Sequence, residues 1–284
     1  MAEWMEEQDP VRGAWRVHLR MDRVLYQGDT GPQRIVVFEN QTFGRVLAMD
    51  GVVQITERDE WVYHEMLVHV PLLAHGRAER VLVIGGGDGG ALRQIVQHPG
   101  VRHVTLVELD AAVVEVAKEY LPNVCGDAFA DPRVETVFAD GLAFVTETQQ
   151  RYDVILVDSA DPFGGGEVLF SEGFYRNCRK VLAPGGVLVT QTAMPFLQRD
   201  WLAVPLRRLK KLFADVSCYL VTVPSLFGGA MAFGWASDDP ALRAVSESVL
   251  AERLATVGLQ TRYYTPALHR GAFAHSPALA RVLP

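Results

Sequence analysis

The sequence has only three cysteines, Cys125, Cys178 and Cys218, which are odd in number, far apart and without a C-x-x-C pair. That scarcity argues against a disulfide framework and against a zinc site, and it leads us to expect a reducing, cytoplasmic setting. Long hydrophobic runs are missing too: none approaches the roughly 20 residues that a membrane-spanning helix needs. The opening MAEWMEEQDP is acidic, where a secretory leader would carry a basic segment and an apolar stretch, so no secretory signal is expected. Positive charge is in deficit, with 27 Lys and Arg against 34 Asp and Glu and a formal net charge of −7. Short basic clusters such as Arg207, Arg208, Lys210 and Lys211 read as the wet face of a helix. Neither nucleic acid nor membrane is therefore an expected partner, and a cationic small molecule suits the acidic chain better. No internal repeat or low-complexity segment appears.

What is present suffices for a large core. Of 284 residues, 49% are hydrophobic and 21% charged, an ordinary globular balance, and the length exceeds one typical domain. Residues 1–75 read as a small antiparallel β-domain plus a linking helix. RIVVFEN (34–40), TFGRVLAMDG (42–51) and VVQITE (52–57) alternate in the manner of strands, with a turn at Met49, Asp50 and Gly51. The spacing of Trp61, Met66, Leu67, Val70 and Leu73 predicts a helix over 59–74. Residues 76–284 form the second expected domain, in which strands and helices alternate. Strands are predicted at 81–85, 103–109, 134–140, 153–159, 187–192, 216–223 and 230–236. Helices are predicted at 91–97, 111–120, 171–182, 199–213 and, starting at Pro240, 240–257. Such alternation gives an α/β fold, a doubly wound sheet with helices on both faces.

VLVIGGGDGG (81–90) sets Gly85, Gly87 and Gly90 in G-x-G-x-x-G spacing between a strand and a helix, and Glu108 ends the next strand. Glycines let the backbone approach a ligand closely, and an acid at that offset can meet ribose hydroxyls, so the pattern predicts a nucleoside. Asp88 inside the loop would repel a phosphate and attract a cation. Asp140, followed by Gly141, and then Asp158 and Asp161 follow the third and fourth strands. Any one of these acids could be a surface group or a helix cap, and Asp140 and Asp161 are the most cap-like. Together at strand ends they favour a cationic ligand. An S-adenosylmethionine methyltransferase and an NAD-linked dehydrogenase share the architecture, but their carboxylate or pyrophosphate would be repelled by Asp88.

FGRVLAMDGVVQITERDEWVYHEMLVHVPLLAH (43–75), GGGDGG (85–90), VELD (107–110), ADG (139–141) and DSADP (158–162) together resemble the spermidine synthase family of polyamine aminopropyltransferases, over about Gly28 to Tyr264. The resemblance implies a Rossmann-like, class I methyltransferase-like sheet behind an N-terminal β-domain, and a homodimer or homotetramer. It implies transfer of the aminopropyl group of decarboxylated S-adenosylmethionine, a co-substrate rather than a resident cofactor, with release of methylthioadenosine. Putrescine is the leading acceptor. A different amine acceptor or a methyltransferase-like activity is the alternative, and a non-enzymatic relative is a third class. By the same resemblance Gln33 and Glu108 hold the ribose, Asp140 and Gly141 the adenine, Asp88 the aminopropyl amine, and Gln191 lies near the donor. Asp158 is the catalytic carboxylate with Tyr63 beside it, and His64 and Asp161 belong to the acceptor site.

The chemistry asks for such residues. A primary amine with a pKa of about 10.4 must lose a proton before it attacks the carbon beside a sulfonium. Asp158 can accept that proton, a neutral His64 or Tyr63 could pass it on, and no metal is needed. His64 and His69 within HEMLVH are five residues apart, about 140° on a helix, which does not suit a metal pair. Two positions depart from the family pattern. Gly165 replaces a proline in the loop, with Val168 beyond it, and Leu226 in PSLFGG (224–229) replaces a tyrosine at the acceptor end. Leu226 opens the possibility of a longer diamine, a triamine or a guanidino amine as acceptor. Cys125 is expected in a loop, as an accessible thiol without an assigned role.

Overall fold

The computed structural model describes residues 3–8, 13–159 and 166–284. Strands β1 (Glu3–Gln8) and β2 (Arg16–Met21) pair as an antiparallel hairpin. Strands β3 (Arg23–Asp29), β4 (Arg34–Asn40), β5 (Gly44–Met49) and β6 (Val52–Thr56) form an antiparallel sheet in sequence order. The β5–β6 turn holds Asp50 at φ 51° and Gly51 at φ 80°, the pair of positive angles that an Asp-Gly turn accommodates. Met5 and Leu19 of the hairpin pack with Phe38, Val46, Ala48 and Val53 of the sheet.

Helix α1 (Glu60–His75) is buried along nearly its whole length and ends at Gly76, whose φ of 74° is the left-handed cap that glycine adopts without strain. Its Met66, Leu67, Val70 and Leu73 join Val81, Val83, Val154 and Leu156 in the main core. The helix expected to link the domains therefore packs into the second one. There follow β7 (Arg80–Gly85), α2 (Gly90–Ile95), β8 (His103–Glu108), α3 (Ala111–Tyr120), α4 (Pro122–Cys125), β9 (Val134–Phe138), α5 (Gly141–Glu147) and β10 (Tyr152–Asp158). The rest is α6 (Glu172–Val181), β11 (Leu182–Gln191), α7 (Arg199–Lys210), β12 (Asp215–Val221), β13 (Met231–Ser237) and helices α8 (Glu247–Val257), α9 (Pro266–Ala272) and α10 (Pro277–Ala280).

Seven strands form one sheet in the order β12-β13-β11-β10-β7-β8-β9, with β13 antiparallel to its two neighbours and the others parallel. Val81, Leu82, Val83 and Val154 to Val157 have no appreciable exposure, as expected for central parallel strands covered on both faces. β7 and β10 are neighbours although the chain visits β8 and β9 between them. Strand order thus reverses there, and loops leaving the carboxyl ends of β7 and β10 part to leave a crevice.

Two expectations need correction. The last long helix starts at Glu247, not Pro240: Asp239 accepts the Ala241 amide in a turn, and Ser246 caps the helix by accepting from Val249. Cys125 ends α4 and is buried, with its Sγ 3.7 Å from the Ala117 carbonyl oxygen, and burial raises its pKa, so it is not an accessible thiol. The segment after α8 is also ordered by α1: both oxygens of Glu65 are used by the amides of Arg262, Tyr263 and Tyr264, each at 2.8 Å.

Candidate active site

One cavity of about 310 Å³ opens along the carboxyl edge of the large sheet. Because neighbouring strands deliver neighbouring side chains, sheet order gives its layout: Asp140 beyond β9, Glu108 at β8, the glycine loop and Asp88 at β7, Asp158 at β10 and Gln191 at β11. Gln33 and Leu226 also line it, from the small sheet and the β12–β13 loop. The structure therefore brings together Tyr63, Gln33, Asp88, Glu108, Asp140, Gly141, Asp158, Gln191 and Leu226. Asp161 and Gly165 lie outside the described residues.

The glycine loop is shaped by the acids around it. Gly85 pairs with Asp158 across β7 and β10, and the Gly86 amide donates to the Asp158 carbonyl at 2.8 Å. A Cβ on Gly87 would stand 2.8 Å from Glu108 Oε2, which accepts the Gly87 amide at 3.1 Å. The other oxygen, Oε1, accepts the Asp110 amide at 3.0 Å. Burial raises the Glu108 pKa, against the pull of the amides of Asp110, Leu109 and Gly87. Asp140 caps α5 through the Ala143 amide at 2.8 Å, so its cap reading holds while it also borders the cavity. Gln33 Nε2 donates to Asp110 Oδ2 at 3.3 Å, which ties the small sheet to the N-terminus of α3.

At the centre, Tyr63 Oη donates to Asp158 Oδ1 at 2.6 Å and lies 3.1 Å from Gln191 Oε1. Burial first and the Asp88 charge second push the Asp158 pKa up to about 6, opposed by His64 and by the Tyr63 hydrogen bond. Burial and the nearby carboxylates hold the Tyr63 phenol well above its ordinary value, so it stays protonated. The second Asp158 oxygen, Oδ2, has no hydrogen-bond partner among the described residues.

His64 departs from expectation. It is fully buried and is not part of the cavity wall, so direct contact with an acceptor is not what the geometry offers. Its Nδ1 lies 2.7 Å from Glu60 Oε2 and its Nε2 lies 3.4 Å from Asp88 Oδ1. Burial would lower its pKa, but Asp88, Glu60 and Asp158 outweigh that and raise it to about 9. Carboxylates on both sides of the ring thus favour the protonated imidazole over the neutral proton carrier expected from sequence. His69, the other histidine of HEMLVH, faces His98 instead, at 3.0 Å.

Several residues at the site were not singled out in the sequence. Asp59 accepts from the Ser225 amide at 2.7 Å and the Ser225 hydroxyl at 3.1 Å, and so anchors the loop that carries Leu226 to the start of α1. Leu109, 62% exposed, adds apolar surface beside Glu108. Glu7 reaches the cavity from the hairpin and accepts the Val53 amide at 3.2 Å. Glu60 alone had a legible signal, its i, i+4 spacing to His64 on a predicted helix; the others depend on packing between distant segments.

A model of a spermine/spermidine synthase domain matches residues 60–246. The chain belongs to the spermine/spermidine synthase family. A second model, of a spermidine synthase tetramerisation domain, matches residues 3–57, which supports a homo-oligomer. Among similar curated proteins, the polyamine aminopropyltransferase of Sodalis glossinidius is 49% identical over 257 residues, 90% of either chain. That of Ruegeria sp. is 49% identical over 266 residues, 94% of either chain. A solved spermidine synthase in complex with the transition-state analogue AdoDATO superposes with a TM-score of 0.93 at 35% identity, over 99% of this chain and 94% of that one. The spermidine synthase of Thermotoga maritima gives 0.90 at 34% identity, with the same coverage. This member of the spermine/spermidine synthase family thus has the family's fold throughout and is an enzyme of the aminopropyltransferase type.

Proposed function

We propose that this enzyme transfers the aminopropyl group of decarboxylated S-adenosylmethionine to an amine, with putrescine as the leading acceptor, and releases methylthioadenosine. The observation that carries the reading is the Tyr63–Asp158 pair, 2.6 Å apart in a cavity bordered by Glu108 and Asp140 on one side and by Leu226 on the other. Gln33 and Glu108 take the ribose, and Asp140 with Gly141 takes the adenine. Asp88 pairs with the aminopropyl ammonium, and Gln191 stands beside the donor. The acceptor nitrogen lies against Asp158, whose Oδ1 is fixed by Tyr63 and whose buried Oδ2 has no hydrogen-bond partner among the described residues. Asp158 takes the proton as the nitrogen lone pair forms the new C–N bond; the C–S bond breaks and its electrons remain on the neutral thioether. Holding two reactants in line can supply about 7–11 kcal/mol of the barrier.

The reaction needs no resident cofactor or metal, and the substrates are small cations rather than nucleic acid or membrane. Among the described residues no helix is long and apolar enough to cross a bilayer. A cytoplasmic homotetramer, or a homodimer, is the expected form. The loss of a tyrosine hydroxyl at Leu226 makes the acceptor end more apolar, and Phe227 beside it packs against the hairpin cluster. That favours testing longer diamines, triamines and guanidino amines beside putrescine. The protein is incubated with decarboxylated S-adenosylmethionine and this amine panel, and products are identified by mass. Absence of methylthioadenosine with every amine would reject the reading.

A further inference from the structure

Behind the cavity, Glu60, His64 and the part-buried Arg93 form a chain of ionisable groups that the reaction described above does not use. Glu60, 2% exposed, divides its carboxylate: Oε2 lies 2.7 Å from His64 Nδ1, and Oε1 pairs with Arg93 Nη2. His64 is fully enclosed, and its other nitrogen lies 3.4 Å from Asp88 Oδ1. One ligand-type atom each of His64, Asp88 and Asp158 fall within 4.8 Å of one another. Two carboxylates that close, partly out of water, raise each other's pKa unless a positive charge stands with them. The ionisable groups around the imidazole come from four elements: Glu60 and Tyr63 of α1, Asp88 of the glycine loop, Arg93 of α2 and Asp158 of β10.

We propose that Glu60 and Arg93 are positioning residues for the transfer reaction, holding His64 as a fixed buried cation that orients Asp88 and gives Asp158 its counter-charge. Arg93 stabilises the Glu60 carboxylate, and Glu60 holds the imidazole proton on Nδ1. The Nε2 proton then faces Asp88. In this arrangement His64 shuttles no proton. It keeps Asp158 ionised, and so able to accept one, before any substrate cation arrives. The directions of the pKa shifts agree. Burial would raise the Glu60 pKa, but His64 and Arg93 lower it overall, and His64 likewise lowers that of Asp158.

The proposal rests on the reading of Asp158 as the base, so its test has one arm that needs no turnover. In protein labelled with ¹⁵N-histidine, the His64 resonances, assigned by their loss in His64→Gln, are followed from pH 6 to 10. We expect both ring nitrogens protonated at pH 8 in the wild type and a neutral ring at pH 8 in Glu60→Gln. A neutral His64 at pH 8 in the wild type, or an unchanged titration in Glu60→Gln, overturns the proposal. In the second arm, kcat/KM is measured against pH. Glu60→Gln should move the acid limb up by about one pH unit, with rates recovering at higher pH. A loss that is uniform in pH would mean a merely structural role and would also overturn the proposal. If Glu60→Gln does not fold, Glu60→Met, which also removes the carboxylate, serves in both arms, with shifts in the same direction. Failure of the transferase reading looks different: no amine gives product, while the ring titration still reports on His64.

Discussion

A Cβ on Gly85 would stand 2.1 Å from the carbonyl oxygen of Asp158, its partner on the adjacent strand, and Gly85 has a φ of +79°. The glycine that opens the ligand loop is thus fixed by the backbone of the proposed catalytic residue. Gly85→Ala meets backbone rather than a side chain that could turn away. It should cost about 2–4 kcal/mol in urea unfolding. A variant as stable as the wild type would mean that the two strands part readily at this point.

Asp158→Asn keeps the shape of the side chain but removes the group that takes the proton. We expect kcat to fall by about a hundred- to ten-thousand-fold, with an unchanged melting profile and retained methylthioadenosine binding. Near-normal turnover would sink the assignment.

The Asp158 carboxyl, raised to about 6, must be ionised to act, so kcat/KM should fall as pH drops through about 6. The Tyr63 hydrogen bond lowers that value. Tyr63→Phe should therefore move the acid limb to higher pH besides reducing the rate, and a limb at the wild-type position would contradict the pairing.

His64 carries a prediction about stability. Its folded pKa of about 9 lies above the ordinary 6.5, so its contribution is fully present below about pH 6.5 and is lost as pH rises through about 9. Urea midpoints of the wild type should fall across that window. Those of His64→Gln should fall less, and parallel curves would refute the linkage.

Leu226→Tyr restores a hydroxyl at the acceptor end. One added hydrogen bond is worth about 1 kcal/mol, so preference for putrescine over longer amines should rise about fivefold in a competition assay. No change in product ratio would place the length selection elsewhere.

The fold was largely legible because its signals are local. Short, β-branched apolar runs such as VLVIG and DVILVDS suit central strands, Asp50-Gly51 accommodates a tight turn, and the glycine loop announces a strand-to-helix turn. Asp239 followed by Pro240 gave a false start signal for the last long helix, where the side-chain cap of Ser246 prevails. The candidate site was legible as a set of residue types, since acids after successive parallel strands reach one crevice in any such sheet.

What the sequence could not supply was the state of its groups. The carboxylates around His64, the hydrogen bond from Tyr63 to Asp158, the burial of Cys125 and the anchoring of the Leu226 loop by Asp59 all depend on contacts between segments far apart in the chain. Residue types and spacing set which chemistry is possible, because strand order carries side chains to an edge. Tertiary packing decided protonation and orientation, because both follow from distances and burial that no local pattern encodes.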